Sequence, residues 1–289
     1  MARRALLVGL NHYPDPANNL RGCVNDVLQV SSLLQRGFLF DASADIRLLT
    51  DERATTARIV ERLRWLLRGA GPADTLVFHY SGHGAQVRDR HGDELDDGLD
   101  EIICPYDLDW DDPFTDDDLH TILEGLAPGV NLTVILDCCH SGTGLRAWPA
   151  PPDAVRAKRL VPPPDIRHRT APIAEDRGCR RSAATTGTRL EWRLRRFGER
   201  AAADGAILIA GCRPDQVSAD AWIDGDYHGA LTYYLCRAVT EARFRLTYGD
   251  LLTRVRRLLR DNRFDQVAEL EAPRERVGLP VFGALEAVS

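Results

Sequence analysis

The chain has 289 residues, 44% of them hydrophobic and 28% charged, with a formal net charge of -6. That length suits one large α/β domain or two small ones, with apolar content enough for a substantial core. The acidic balance argues against a general nucleic-acid binder, and no run approaches the ~18 apolar residues that a membrane span needs.

The start, Arg3-Arg4 before the apolar run Ala5–Leu10, imitates a secretion signal. The run is too short for a signal core of roughly 7–15 residues, so it reads as a buried first strand of a cytoplasmic protein. Seven cysteines, with no C-x-x-C spacing among them, suggest neither a disulfide framework nor a structural zinc site. A reducing compartment would leave any catalytic thiol usable.

After Ala5–Leu10, strands are expected at Ile46–Thr50, Thr75–Tyr80, Leu132–Leu136, Ala206–Ala210 and Leu279–Phe282. Helical periodicity fills the gaps at Val24–Arg36, Thr56–Arg68, Asp117–Leu126, Leu231–Ala242 and Tyr248–Asp261. Strands alternating with helices imply a mostly parallel sheet of about six strands with helices on its faces. Two stretches interrupt the alternation. Residues 89–118 are crowded with Asp and Glu against one base, Arg90, and residues 145–204 are rich in Pro and Arg without sustained periodicity. The second reads as a long loop or processing linker within a single domain, with 1–144 before it and 205–289 completing the sheet.

Two strands end in reactive residues. Thr75–Tyr80 leads into Ser81-Gly82-His83-Gly84, and Leu132–Leu136 into Asp137-Cys138-Cys139-His140-Ser141-Gly142. In an open α/β sheet, ligands bind beyond the carboxyl ends of the strands. Neighbouring parallel strands would therefore bring His83 and Cys139 to one rim. A thiol of ordinary pKa ~8.5 needs an adjacent base to become a nucleophile at neutral pH. Gly84 and Cys139, where the chain turns, are natural N–H donors for an oxyanion.

Tyr80–Gly84 (YSGHG), Asp137–Gly142 (DCCHSG) and the earlier stretch Leu20-Arg21-Gly22-Cys23-Val24-Asn25-Asp26 together resemble the metacaspases, caspase-like cysteine peptidases, here of a prokaryotic type. The resemblance covers Ala5 to about Gly142 and, more loosely, Ala206 to Phe282. It implies a caspase-like three-layer α/β sandwich, His83 as general base and acid, and Cys139 as nucleophile. It also implies a pocket for a substrate Arg or Lys at P1 (the residue before the cut bond) drawing on Cys23, Asp26, Ser81 and Asp137. Carboxylates there would pair with a guanidinium or ammonium. Cys138, where many relatives carry Ser, offers a second thiol. The chemistry requires no cofactor. Calcium-activated members use clustered aspartates, and Asp97, Asp100, Asp116 and Asp117 occupy comparable stretches, although Arg146 stands where a further aspartate is expected. A solvated acidic face is the equal alternative, and an EF-hand loop is excluded because Leu95 and Cys104 fall on ligand positions.

The implied partners are protein or peptide substrates and, for a zymogen, an upstream activating protease, with the enzyme acting as a monomer. The linker offers Lys158, Arg159, Arg180, Arg181 and Arg189 as processing sites. Analogy suggests a role in bacterial stress, cell death or defence. A tyrosine-phosphatase reading fails, because Cys139 and Arg146 are separated by one residue too many and no helix follows to cradle phosphate. A catalytically silent caspase-like scaffold is the rival from another class. Cys104, Cys179, Cys212, Cys236, His79 and His140 read as structural.

Overall fold

The computed structural model describes residues 1–88, 99–139, 155–166, 205–213 and 216–283. Its centre is a six-stranded sheet built from β1 (Arg3–Gly9), β2 (Ile46–Thr50), β3 (Thr75–Ser81), β6 (Asn131–Asp137), β8 (Ile207–Ala210) and β11 (Glu269–Glu271). The spatial order is β11-β8-β6-β3-β1-β2. All neighbours run parallel except β11, which pairs antiparallel with β8 at one edge.

Both faces of the sheet are apolar, which is why its strands read as nearly continuous hydrophobic runs. In β1, Leu6 and Val8 face α2 (Thr56–Leu67) and α3 (Asp116–Leu123), joining Ile59, Leu63 and Leu119 in one core cluster. Ala5 and Leu7 face the other side, with Leu33, Leu235 and Leu251 from α1 (Cys23–Phe38), α4 (Ala230–Glu241) and α5 (Tyr248–Asp261). Each fully buried Leu or Val contributes ~1.5–3 kcal/mol, so this double core makes the sheet a rigid platform.

The helix starts follow from local chemistry. Thr115 with Asp118 and Thr247 with Asp250 form capping boxes at α3 and α5, each side chain accepting from the other's backbone N–H. α1 has no such cap. Its first N–H groups, on Cys23 and Val24, donate to Asn11 Oδ1 at 2.8 and 3.2 Å, and Leu39 in the left-handed region (φ 60°) ends it. Gly9 lets α1 approach β1: a Cβ there would lie 2.4 Å from the Cys23 carbonyl oxygen.

The expected last strand at Leu279–Phe282 is corrected. Phe282 has φ 53°, outside extended geometry, and the segment is a turn tied to Thr247 by a bridge at Pro280. Val281 and Phe282 are apolar because they pack into the core; the edge of the sheet is β11. The stretch expected as a loop also gains structure. β7 (Val155–Ala157) joins β9 (Ala219–Ile223) and β10 (Asp226–Gly229) in an antiparallel three-stranded sheet. A hairpin of β4 (Gly84–Arg88) and β5 (Leu99–Ile103) leaves the end of β3. A last short helix, α6, spans Arg274–Val277.

Substituting Gly9 by Ala should force β1 and α1 apart and destabilise the fold by about 1–3 kcal/mol. A thermal melt reads this as a lower Tm; an unchanged Tm would mean the two elements have room to separate.

Candidate active site

Register brings the site together. Ser81 at the end of β3 lies directly opposite Asp137 at the end of β6. Two residues beyond each strand end come His83 and Cys139, on the same rim. Asp26 reaches this point from the first turn of α1, where Ser81 Oγ donates to its Oδ2 at 2.6 Å.

Between the two motifs lies Lys158, one residue past β7, fully buried. Its backbone carbonyl accepts from the N–H groups of both Gly84 (3.2 Å) and Cys139 (3.1 Å), and its own N–H donates to Ser218 O at 3.0 Å. Its ammonium donates to Ser81 Oγ at 2.8 Å and pairs with Asp26 Oδ2 at 3.2 Å and Asp137 Oδ2 at 3.3 Å. The residues before it run antiparallel to β9, Arg156 opposite Asp220. After it, Leu160 N donates to Gly84 O at 2.9 Å and its side chain is buried. The chain thus lays its own lysine along the cleft in the manner of an extended peptide, carbonyl on the two N–H groups and side chain in the acidic pocket.

The carboxylates are held from behind by the start of α4. Gly229 N donates to Asp26 Oδ1 at 2.9 Å, and Thr232 donates to Asp137 Oδ2 through N (2.9 Å) and Oγ1 (2.8 Å). Asp137 Oδ1 accepts from Ser218 Oγ at 2.7 Å. Burial alone would raise Asp26, but Lys158 with hydrogen bonds from His228 and Ser81 holds it below its ordinary value. Burial likewise opposes the ammonium, yet Asp137, Cys23, Asp26 and Asp220 keep Lys158 well above its usual range. Cys23 is buried beside the pocket, and burial pushes its thiol well up. Three of the four residues expected in the pocket, Asp26, Ser81 and Asp137, thus contact one cation, with Cys23 buried beside them.

His83 is buried, its backbone N–H donating to Tyr13 Oη at 2.9 Å. Its Nε2 meets Asn18 O at 2.7 Å. A carbonyl only accepts, so Nε2 carries the proton and Nδ1 keeps its lone pair; among the described residues Nδ1 has no hydrogen-bond partner. Burial lowers His83 to about 4, with Lys158 and Arg156 adding to the effect and the Asn18 bond opposing it. The imidazole is therefore neutral at pH 7. A cavity of about 280 Å³, lined by His83, Asn18, Leu20, Ala157 and others, opens beside it.

The Cys139 sulfur is turned to Ser218, accepting from its N–H and donating to its carbonyl at 3.5 Å. No hydrogen bond joins it to His83. Cys138, the competing thiol, packs into the core under the sheet instead. Sequence reading did not find Tyr13, Asn18, Ser218, Gly229 or Thr232. Asn18, Gly229 and in part Ser218 act through backbone groups, while Tyr13 and Thr232 act through side-chain oxygens whose partners only the fold reveals. The described cysteines, Cys23, Cys104, Cys138, Cys139, Cys212 and Cys236, are all unbridged.

Of the expected metal ligands, Asp100 and Asp116 are buried on adjoining segments, the end of β5 being bridged to the start of α3 through Ile102 and Thr115. Asp117 follows in the first turn of α3. Asp97 lies outside the described residues, as do His140 and Arg146. Among the described residues, no three His, Cys, Asp or Glu side chains are close enough to hold a metal ion, and no helix is long and apolar enough to cross a membrane.

A family model described as "Metacaspase, peptidase C14 domain" matches residues 3–147. Metacaspase-1 of Meyerozyma guilliermondii is 34% identical over 292 residues, covering 93% of this chain and 69% of that protein. Metacaspase-1 of Scheffersomyces stipitis is 35% identical over 279 residues, covering 89% and 67%. Among solved structures, a Geobacter sulfurreducens protein superposes with TM-score 0.66 at 24% identity, over 99% of this chain and 100% of that one. Caspase-1 of Spodoptera frugiperda superposes with TM-score 0.54 at 12% identity, over 99% and 91%. These two likenesses concern the fold.

His79, buried in β3 with Nε2 at 3.0 Å from Thr232 Oγ1, is also lowered to about 4, by burial first of all. Both imidazoles titrate near 6.5 when the chain unfolds. From pH about 6.5 down to about 4, the unfolded chain binds protons that the folded chain refuses, so stability is lost across that window. Melts of Cys139→Ala at pH 7, 5.5 and 4.5 should show the fall, and His79→Gln in the same background should flatten it. A Tm decline identical in both would exclude His79 as a contributor.

Proposed function

Because the chain belongs to the metacaspase family of cysteine-type peptidases, we propose that it is an endopeptidase cutting after Lys or Arg through a Cys139 thioester, and a zymogen whose first substrate is its own Lys158–Arg159 bond. The observation that supports this reading is the seat of Lys158, with its carbonyl on the N–H groups of Gly84 and Cys139 and its ammonium among Asp26, Ser81 and Asp137.

The proposed reaction begins when the Cys139 sulfur turns from Ser218 to the carbonyl carbon of the bound residue. His83 Nδ1 takes the thiol proton while Asn18 O holds the ring by Nε2–H. As the carbonyl oxygen becomes an oxyanion, the two N–H groups strengthen their hold; losing one such donor costs about 10²–10³ in kcat. His83 then gives the proton to the departing amide nitrogen, and water cleaves the thioester. After self-cleavage, withdrawal of Lys158 empties the acidic pocket for the Lys or Arg of another protein.

Calcium enters the proposal as an activator, with Asp97, Asp100, Asp116 and Asp117 as candidate hard oxygen donors. Among the described residues no three such side chains come together to hold the ion, so no catalytic step passes through it. We also place the enzyme as a monomer in a reducing cytoplasm, acting in stress, cell death or defence by family analogy. An upstream protease is the alternative to self-cleavage as the activating event.

Mass spectrometry of the purified chain, with calcium or with a chelator, tests the reading. The expected product begins Arg159-Leu160-Val161 and is absent in Cys139→Ala and Lys158→Ala. The processed enzyme should hydrolyse Lys and Arg reporter peptides and leave Asp peptides intact, with His83→Ala lowering kcat/KM by about 10²–10⁴. A chain that stays whole, and hydrolyses no reporter even after limited trypsin treatment, would instead be a scaffold.

A further inference from the structure

The floor of the acidic pocket is a backbone atom. A Cβ built on Gly229 would lie 2.0 Å from Lys158 Nζ, 2.2 Å from Asp137 Oδ2 and 2.5 Å from Asp26 Oδ2. Gly229 has φ -68° and ψ 127°, a conformation open to any residue. Its lack of a side chain is therefore a matter of space, and that space is taken by the lysine ammonium and the oxygens around it.

The donor and acceptor count is closed as well. The ammonium has three N–H groups and meets three acceptors, Ser81 Oγ, Asp26 Oδ2 and Asp137 Oδ2. Every carboxylate oxygen already has another donor: Asp26 Oδ1 and Oδ2 from Gly229 N, Asp137 Oδ2 from Thr232, and Asp137 Oδ1 from Ser218. A guanidinium reaches roughly a bond length further than an ammonium and spreads five N–H groups in a plane. It would meet the Gly229 backbone and leave donors unsatisfied in a fully buried place, which discriminates strongly against the poorer fit.

We infer that Gly229 sets the depth of the P1 pocket and that this depth makes the enzyme selective for lysine over arginine. The inference rests on the peptidase reading above and narrows its substrate class. Gly229 acts here by direct contact with the substrate side chain, and the peptide Val-Arg-Ala-Lys, the chain's own residues 155–158, is the natural probe.

The test compares kcat/KM for matched reporters Val-Arg-Ala-Lys and Val-Arg-Ala-Arg on the activated native chain, and self-cleavage of Lys158→Arg against native. Lysine should be favoured by about tenfold or more, with a matching delay in the Lys158→Arg self-cut. Any smaller ratio, or a preference for arginine, overturns the selectivity while leaving the peptidase intact. Hydrolysis of neither reporter overturns the peptidase reading and this inference with it. Gly229→Ala adds an independent arm. With Tm and Cys139 alkylation by iodoacetamide retained, it should lose lysine cleavage by about a hundredfold and turn over the ornithine reporter, one methylene shorter, faster than the lysine one. A folded Gly229→Ala cleaving lysine at the native rate overturns the assignment of the floor; should this variant fail to fold, the native reporter ratio decides alone.

Discussion

A cation buried among carboxylates organises this molecule. Asp26 and Asp137 are both fully buried, and two carboxylates this close repel one another and resist desolvation. The fold answers with backbone and hydroxyl donors from the start of α4, where the helix dipole adds its positive end, with Ser81 and Ser218, and with the Lys158 ammonium. Stripping one partner from a buried ion pair costs about 3–5 kcal/mol. The site therefore has a standing demand for a positive side chain. In the intact chain the demand is met internally, by a residue from the Pro- and Arg-rich stretch.

On the proposed reading, that single lysine links recognition to protection. Its side chain fills the pocket, its carbonyl occupies both N–H donors, and its charge helps depress His83. On the proposed reading no other peptide reaches the rim while it stays; the sulfur meanwhile rests against Ser218. In the proposed cycle, its departure removes one of the charges that weaken His83 as a base and frees both donors together. On that reading, blocking and readiness are properties of the same contacts.

Much of this was legible in the sequence because it depends on strand ends. The apolar runs at Ala5, Thr75 and Leu132 could hardly be anything except buried parallel strands, and residues placed just after them must fall on one rim. The pairing of Ser81 with Asp137 follows from that, whereas the gathering of Cys23 and Asp26 beside them was implied by the metacaspase resemblance alone. What stayed hidden works through backbone. Asn18 orients His83 with a carbonyl, Gly229 matters for a side chain it lacks, and Ser218 presents N–H and C=O to the sulfur; none leaves a periodic or compositional mark. Lys158 was visible only as one cleavable residue among several, because nothing in a Pro- and Arg-rich run says which of its bases will be buried. The error at Leu279–Phe282 has the same root: its apolar pattern reports packing against α1 and α5, and a left-handed Phe282 forbids the strand.

The spacing within the two motifs carries the last step. Ser81 precedes His83 by two residues, Asp137 precedes Cys139 by two, and Ser81 faces Asp137 across the sheet. The groups that grip a P1 cation and the groups that would attack its carbonyl are therefore fixed to the same two strand ends. Seating the side chain among Ser81, Asp26 and Asp137 brings the carbonyl to the N–H groups of Gly84 and Cys139, as Lys158 does. A side chain that fits poorly leaves its carbonyl displaced, and displacement of even about an ångström can lower a rate 10²-fold. On the proposed reading, specificity would then appear in kcat as well as in KM, because binding the side chain and aligning the reacting bond are one geometric event.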